Sequence, residues 1–176
     1  MVTGTLDPAL DQRAAYAAAA AVLDPEVPVL TIEDLGVLRE VQVRDDGSVD
    51  VTITPTYSGC PAMQTIEDDV CTALRDAGHP TVRVRTVLSP AWSTDWMSED
   101  GRRKLREYGI APPNPTSGAR PGGPVALTLG VRPDVVACPQ CGSTRTTELT
   151  RFGSTSCKAL WRCESCREPF DHFKAI

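Results

Sequence analysis

The sequence predicts an α+β protein: a small two-layer α/β domain with a three-stranded core sheet, followed by a separate module built on cysteines. Three observations predict it. Hydrophobic periodicity alternates between helix and strand as far as residue 108. The composition then breaks, with 11 Pro or Gly among the 26 residues from Gly109 to Asp134. Beyond the break, two Cys-x-x-Cys pairs bracket CPQCGSTRTTELTRFGSTSCKALWRCESC. The implied organisation is a domain at 1–108, a linker at 109–134 and a cysteine module at 135–176.

The first helix is signalled by Asp7 as N-cap and Pro8 at the first helical position. Leu10, Ala14, Ala17, Ala18, Ala21 and Val22 mark its expected apolar face, and Pro25 stops it at Asp24. Two alternating strands follow at 37–44 and 48–54, joined through Asp46-Gly47, a strong hairpin signal. An amphipathic helix then carries Met63, Ile66, Val70 and Leu74 in register and is closed by Gly78 and Pro80. TVRVRTVL at 81–88 is the third strand. Ser98 with Glu99 and Asp100 starts a short basic helix ending near Gly109. Within the linker, VALTLGV reads as one further short strand. A flexible chain of the linker's length has a root-mean-square span of roughly 28 Å, so it tethers the module without fixing it.

The composition excludes several classes of function. A chain of 176 residues with 41% hydrophobic residues holds one ordinary domain plus a small module. With only three each of Phe, Tyr and Trp, aliphatic side chains must fill the core. No run approaches the ~18 apolar residues of a membrane span, and MVTGTLDPAL lacks the regions of a signal peptide. A soluble cytoplasmic protein is expected, with no membrane partner. Seven cysteines are then reduced thiols, which points to metal binding or thiol chemistry rather than a disulfide framework. A net charge of -5 argues against a nucleic-acid partner. No Glu-x-x-His pair, phosphate loop or dinucleotide fingerprint is present, so a complete oxygenase, reductase or nucleotide-driven machine is not expected in this chain alone. The sequence leaves a homo-oligomer open.

Cys138, Cys141, Cys163 and Cys166 follow the two-pair pattern of a four-thiolate metal site, with 21 residues between the pairs, just beyond the usual range, and each pair presents two sulfurs to one side of a tetrahedral ion. Gly142 suits the turn after the first pair, and TRTTELTRFGS has the alternation of a ribbon strand. The result is a zinc-ribbon-like module, whose small core makes the bound ion a large part of its folding energy. Iron, alone or in an iron-sulfur cluster, is the other occupant such thiolates take, with Cys157 as an additional ligand. Cys157 equally reads as a small buried hydrophobe beside Trp161, and His172 as a packed or surface histidine rather than a replacement ligand. From 138 to 176 there are six Lys or Arg against four Asp or Glu, too little positive charge to hold phosphates once the thiolates are counted.

Upstream, Cys60 in TPTYSGCPAM falls where a strand meets a helix, a position that stabilises a thiolate and suits a metal-transferring cysteine. Its alternative is a buried structural thiol. Cys71, mid-helix beside Val70 and Leu74, reads as packing. Asp24 and Glu26 in LDPEVP read as turn residues. Were that turn to fold beside Cys60, carboxylate and thiolate would form a mixed ligand set, with IEDLG at 32–36 closing the pocket.

DPEVP, IEDLGVLREV, TITPTYSGCPAM and the tail CPQC to FDHF resemble the D-subunit family associated with the bacterial ring-1,2-phenylacetyl-CoA epoxidase, over nearly the whole chain. The N-terminal part is similar to the wider metal-sulfur cluster biosynthesis family, which includes SufT-type factors. The resemblance implies that Cys60 is that family's motif cysteine and that Asp24, Pro25 and Glu26 are its Asp-Pro-Glu turn. It implies a role in maturing or maintaining the iron or iron-sulfur centres of a multicomponent oxygenase of aerobic phenylacetate degradation, not catalysis by this subunit. The implied clients are the di-iron oxygenase component and the reductase, which carries flavin and a plant-type cluster. Two other roles remain compatible with the residues: a scaffold or regulatory subunit that binds the oxygenase, and a thiol enzyme using Cys60, for which no suitably placed histidine is visible.

Overall fold

The computed structural model describes residues 8–114 and 135–174, with side chains from residue 11 onward. The expected N-cap Asp7, the face residue Leu10 and the strand VALTLGV lie outside those limits. Between Gly101 and Arg102 the chain divides into two compact units.

The first unit is a two-layer sandwich of helices and sheet. Helix α1 (Pro8–Ala20) leads to β1 (Leu38–Val43) and β2 (Val49–Ile53), then α2 (Ala62–Asp76) and β3 (Val82–Thr86). The sheet order is β1-β2-β3, with β1 antiparallel and β3 parallel to β2. The parallel pair follows from α2, which carries the chain back across the sheet before β3 begins. Strand β2 alternates as the sequence predicts, with Val49, Val51 and Ile53 buried while Asp50 and Thr52 face outward. Helix α2 closes the inner face with Ala62, Ile66, Val70 and Leu74. In the hairpin, Gly47 takes a φ of +77° and Asp46 accepts from both the backbone and the hydroxyl of Ser48.

Helix α1 corrects two expectations. It ends at Ala20 rather than Asp24, because the following chain forms a closed loop: Leu23 bridges Thr31, and the Asp24 N–H donates to the Leu30 carbonyl at 2.9 Å. Its buried residues are Ala15, Ala19 and Ala20, followed by Val22, while Ala14, Ala17 and Ala21 are exposed. An alanine run offers almost no hydrophobic contrast, so its orientation is set by its neighbours rather than by its own pattern. Gln12 fixes that orientation, since its amide donates to the Val41 carbonyl at 2.8 Å and accepts from the Val43 N–H at 2.9 Å. One glutamine thus bonds the outer edge of β1 twice.

The stretch after β3 carries no periodic signal, yet it is pinned to the first unit. Trp92 is buried and its indole N–H donates to the Leu35 carbonyl at 2.9 Å, before a single 3₁₀ turn at Thr94–Trp96. Ser98 then caps α3 (Glu99–Glu107) as expected, accepting from the Gly101 N–H at 2.8 Å.

In the second unit, β4 (Thr146–Thr150), β5 (Lys158–Cys163) and β6 (Pro169–Phe173) form an antiparallel sheet in that order. Ala111 lies within the stretch whose composition reads as linker, but it bridges His172. Its N–H donates to the Asp171 carbonyl at 2.8 Å, and its own carbonyl accepts from the Phe173 N–H at 2.9 Å. The unit's small core joins Ala111 and Val136 to Cys138, Ala159, Trp161, Cys163 and Phe170.

Candidate functional site

The four paired cysteines converge. One sulfur from each of Cys138, Cys141, Cys163 and Cys166 lies within 4.8 Å of the others, with Cys138 to Cys166 at 3.8 Å and Cys141 to Cys163 at 3.6 Å. A tetrahedral ion with sulfur at about 2.3 Å has edges of about 3.8 Å, so the set fits a single ion. Each pair sits in the same kind of turn. The Gly142 N–H returns to the Cys138 carbonyl at 2.9 Å and the Arg167 N–H to the Cys163 carbonyl at 3.0 Å. Gly142 has a φ of +73° and Arg167 a φ of +71°. The glycine was readable in the sequence. The arginine was not, because a non-glycine residue gives no sign that it will be held in the left-handed region.

Backbone N–H groups of Ser165 and Cys166 point at the Cys163 sulfur, at 3.3 and 3.5 Å. The Cys166 N–H, with smaller help from Ser165 and from its neighbouring thiols, lowers the Cys163 thiol to about 6. Cys166 receives an N–H from Glu168, which lowers it, but burial and the surrounding thiols push it up to about 12. Of these two, Cys163 gives up its proton the more readily, and a bound cation would favour the thiolate form.

Cys157 is not brought to this cluster. It is buried just before β5, at the end away from Cys163, and six strand steps of ~3.3 Å separate the two by about 20 Å. Its sulfur meets the Thr155 hydroxyl at 2.9 Å. His172 is a packed histidine on β6, edge-on to Trp161 with ring centroids 5.7 Å apart. Cys71 is half-buried beside the apolar stripe of α2 rather than within it.

In the first unit, Cys60 closes a turn in which its N–H meets the Tyr57 carbonyl at 3.2 Å and Gly59 takes a φ of +95°. Pro61 caps α2 without a side-chain hydrogen bond. Asp24 and Glu26 lie near enough to this thiol for their negative charges to raise it, but among the described residues it is the four ribbon cysteines, not this trio, whose ligand atoms lie within 4.8 Å of one another. Asp24 holds its loop by accepting from the N–H groups of Glu26 and Val27 at 2.8 and 2.7 Å, which aims the Asp-Pro-Glu turn. The IEDLG turn makes contacts of its own. Glu33 accepts from the Tyr16 hydroxyl, and Asp34 is held by Thr31 and Ser98.

The helix start does not leave Cys60 as a thiolate, which corrects the sequence expectation. Burial pushes the thiol up first; the Ala62 N–H draws it down; Glu26 and Asp24 push it up again, and the Tyr57 hydroxyl lowers it slightly. Burial and the carboxylate charges win, and the resting group at neutral pH is the thiol. Alkylation of Cys60 by iodoacetamide is expected to be several-fold slower at neutral pH than that of a peptide thiol, rising only above the ordinary thiol range. Glu26→Gln removes a charge that raises the thiol, so its rate profile should move to lower pH. Mass spectrometry of the Cys60 peptide across pH measures both.

No helix among the described residues is long and apolar enough to cross a membrane. Comparison with known proteins divides the chain as the geometry does. The family model for iron-sulfur cluster assembly proteins matches residues 12–88, and that for the PaaD zinc β-ribbon domain matches residues 123–174. An Escherichia coli protein assigned to 1,2-phenylacetyl-CoA epoxidase as its D subunit is 49% identical over 87% of this chain and 86% of its own length. The Fe-S protein maturation auxiliary factor SufT of Staphylococcus aureus is 38% identical over 44% of this chain and 88% of its own. The crystal structure of a domain of unknown function from Bacillus anthracis superposes with a TM-score of 0.51 at 29% identity, covering 55% of this chain and 92% of that one. With an iron-sulfur assembly domain at its N-terminus and a four-cysteine ribbon at its C-terminus, the chain belongs to the D-subunit family of the phenylacetyl-CoA epoxidase.

Proposed function

We propose that the protein is an accessory subunit that matures or maintains the iron or iron-sulfur centres of a phenylacetyl-CoA epoxidase system, working in the cytoplasm. What supports this reading is that the charges of Glu26 and Asp24 act on Cys60 in a domain of the iron-sulfur assembly family. The likeness to the D-subunit protein of the epoxidase supports the di-iron oxygenase and the reductase as its clients.

The chemistry of the pocket suits transfer rather than storage. Two carboxylates and a neutral thiol attract a cationic iron species, and binding expels the thiol proton because the cation stabilises the thiolate. On departure of the cargo, burial and the carboxylates return the proton to Cys60, which stops the sulfur from holding on. One thiolate and two acids also leave coordination positions open for ligands supplied by a client.

The ribbon plays a different part. Its four sulfurs have room for one tetrahedral ion, and zinc suits that closed site. A multi-atom iron-sulfur cluster needs its thiolates farther apart, so in this reading iron chemistry belongs to Cys60 and not to the ribbon.

Anaerobic ferrous titration of the protein with its ribbon ion in place tests the assignment. The wild type is expected to bind iron beyond the ribbon ion, and Cys60→Ser to lose that binding while keeping the ribbon ion. Equal ferrous binding by both proteins would exclude Cys60 as a ligand.

A further inference from the structure

The two edges of the first sheet are finished differently. At the β1 edge Gln12 bonds the Val41 carbonyl and the Val43 N–H. Strand β3 is the other edge, and among the described residues no strand pairs with its outer side. The parallel ladder to β2 uses the Thr81 carbonyl and the Val87 N–H. By two-residue alternation, the N–H and C=O groups of Val82, Val84 and Thr86 therefore point to the open side. Val82 and Val84 are only half-buried on the helix-facing side, and Leu88 just beyond is 63% exposed. Such an edge can take up another strand.

Charge selects what that strand is. On the outer face, Arg83 and Arg85 project from β3 beside a cavity of about 250 Å³, which Glu40, Arg44, Asp50 and Thr52 also line. Asp50 is held by Arg44 at 2.6 Å, and Arg83 reaches it only at 3.7 Å. Arg85 contacts the Thr52 hydroxyl at 3.4 Å. Arg83 shares Asp50 with Arg44, and Arg85 has no carboxylate partner among these contacts. A second copy of the chain adding through its own β3 would set arginine beside arginine, which like-charge pairing across strands disfavours.

We propose that the open edge of β3 accepts an extended acidic segment of a partner protein as a fourth strand, its carboxylates facing Arg83 and Arg85 and its apolar residues continuing the Val82 and Val84 side. The surface uses no residue of the Cys60 pocket and does not depend on the metal-transfer reading.

The full-length protein with its ribbon ion is titrated with acetyl-Thr-Glu-Val-Glu-Val-Glu-Thr-amide and with the same peptide carrying lysine for glutamate, followed by amide NMR. The expected result is shifts centred on Val82, Val84 and Thr86 with the glutamate peptide and about tenfold weaker binding of the lysine peptide, as two cross-strand charge pairs imply. The Arg83→Glu/Arg85→Glu double variant should reverse the preference. Val84→Pro, which removes an N–H that the β2 ladder does not use, should abolish binding. Equal response to both peptides, no response at millimolar peptide, shifts centred elsewhere, or concentration-dependent self-association through these same amides would overturn the proposal.

Discussion

Removing the ribbon ion with a strong chelator is expected to unfold the second unit while leaving the β1-β2-β3 sheet intact. The reason lies in the composition of that unit's core, where Cys138 and Cys163 are two of its seven buried residues and Cys166 packs against them. Without the ion, four thiols crowd within 4.8 Å of one another with no cation to hold them together. With it, the thiolates share a cation whose binding free energy in small zinc modules is about 10–16 kcal/mol, far more than so few apolar side chains contribute. Cys163→Ser should have the same effect without a chelator. Amide NMR separates the outcomes: resonances of β4, β5 and β6 should collapse to unfolded positions while those of Val49, Val51 and Ile53 stay dispersed. A ribbon that remains dispersed after metal removal would show that it folds on its apolar core alone.

Gly36→Ala should be strongly damaging to the first unit, costing about 2–5 kcal/mol. Gly36 has a φ of +68°, and a Cβ there would stand 2.6 Å from the Trp96 Cβ and 2.7 Å from the Trp96 carbonyl oxygen. The left-handed conformation alone costs about 1–2 kcal/mol for a residue with a side chain. The clash adds about 1–3 kcal/mol, because backbone cannot swing away as a flexible side chain would. Trp96 is also held in place, with the Arg39 guanidinium stacked 3.6 Å from its ring centroid. Gly47→Ala supplies the control, since its φ of +77° carries the conformational cost with no atom within 4 Å of the added carbon. Urea unfolding of both variants should place Gly36→Ala well below Gly47→Ala in midpoint. Equal midpoints would mean that Trp96 moves freely and does not hold the turn.

Legibility in the sequence followed hydrophobic contrast. Strand β2 and helix α2 were readable because apolar residues at spacings of two and of three to four stand among polar ones, and Val49, Val51, Ile53, Ile66, Val70 and Leu74 are all buried. Helix α1 was readable as a helix but not in its facing, because Ala14 and Ala15 carry the same local information although only Ala15 is buried. The attachment of Trp92 to the Leu35 carbonyl and the bridge from Ala111 to His172 left no periodic trace, since each is an isolated long-range attachment in a stretch without repeating pattern. For the sites, cysteine spacing was enough to place four thiolates around one ion, because tight turns impose their geometry locally. Cys60 shows the limit of such local reasoning. Its place at a helix start predicted a thiolate, but burial and the charges of Glu26 and Asp24, brought in from a distant turn, push the thiol the other way.

That reversal changes how the pocket is understood. A standing thiolate would mark a nucleophile or a permanent ligand, whereas a thiol raised by burial and by the charges of Glu26 and Asp24 gives up its proton more readily once a cation arrives. The central claim is therefore that Cys60 passes iron to a client and returns to the thiol. Its most direct test is the iron content of the di-iron oxygenase component purified after co-expression with wild-type protein or with Cys60→Ser. The account predicts an under-loaded oxygenase with the variant, although the variant keeps its fold, its ribbon ion and its association with the oxygenase. Full iron loading with Cys60→Ser would contradict it and favour a scaffold, for which deletion of residues 135–176 and not loss of Cys60 should be the damaging change.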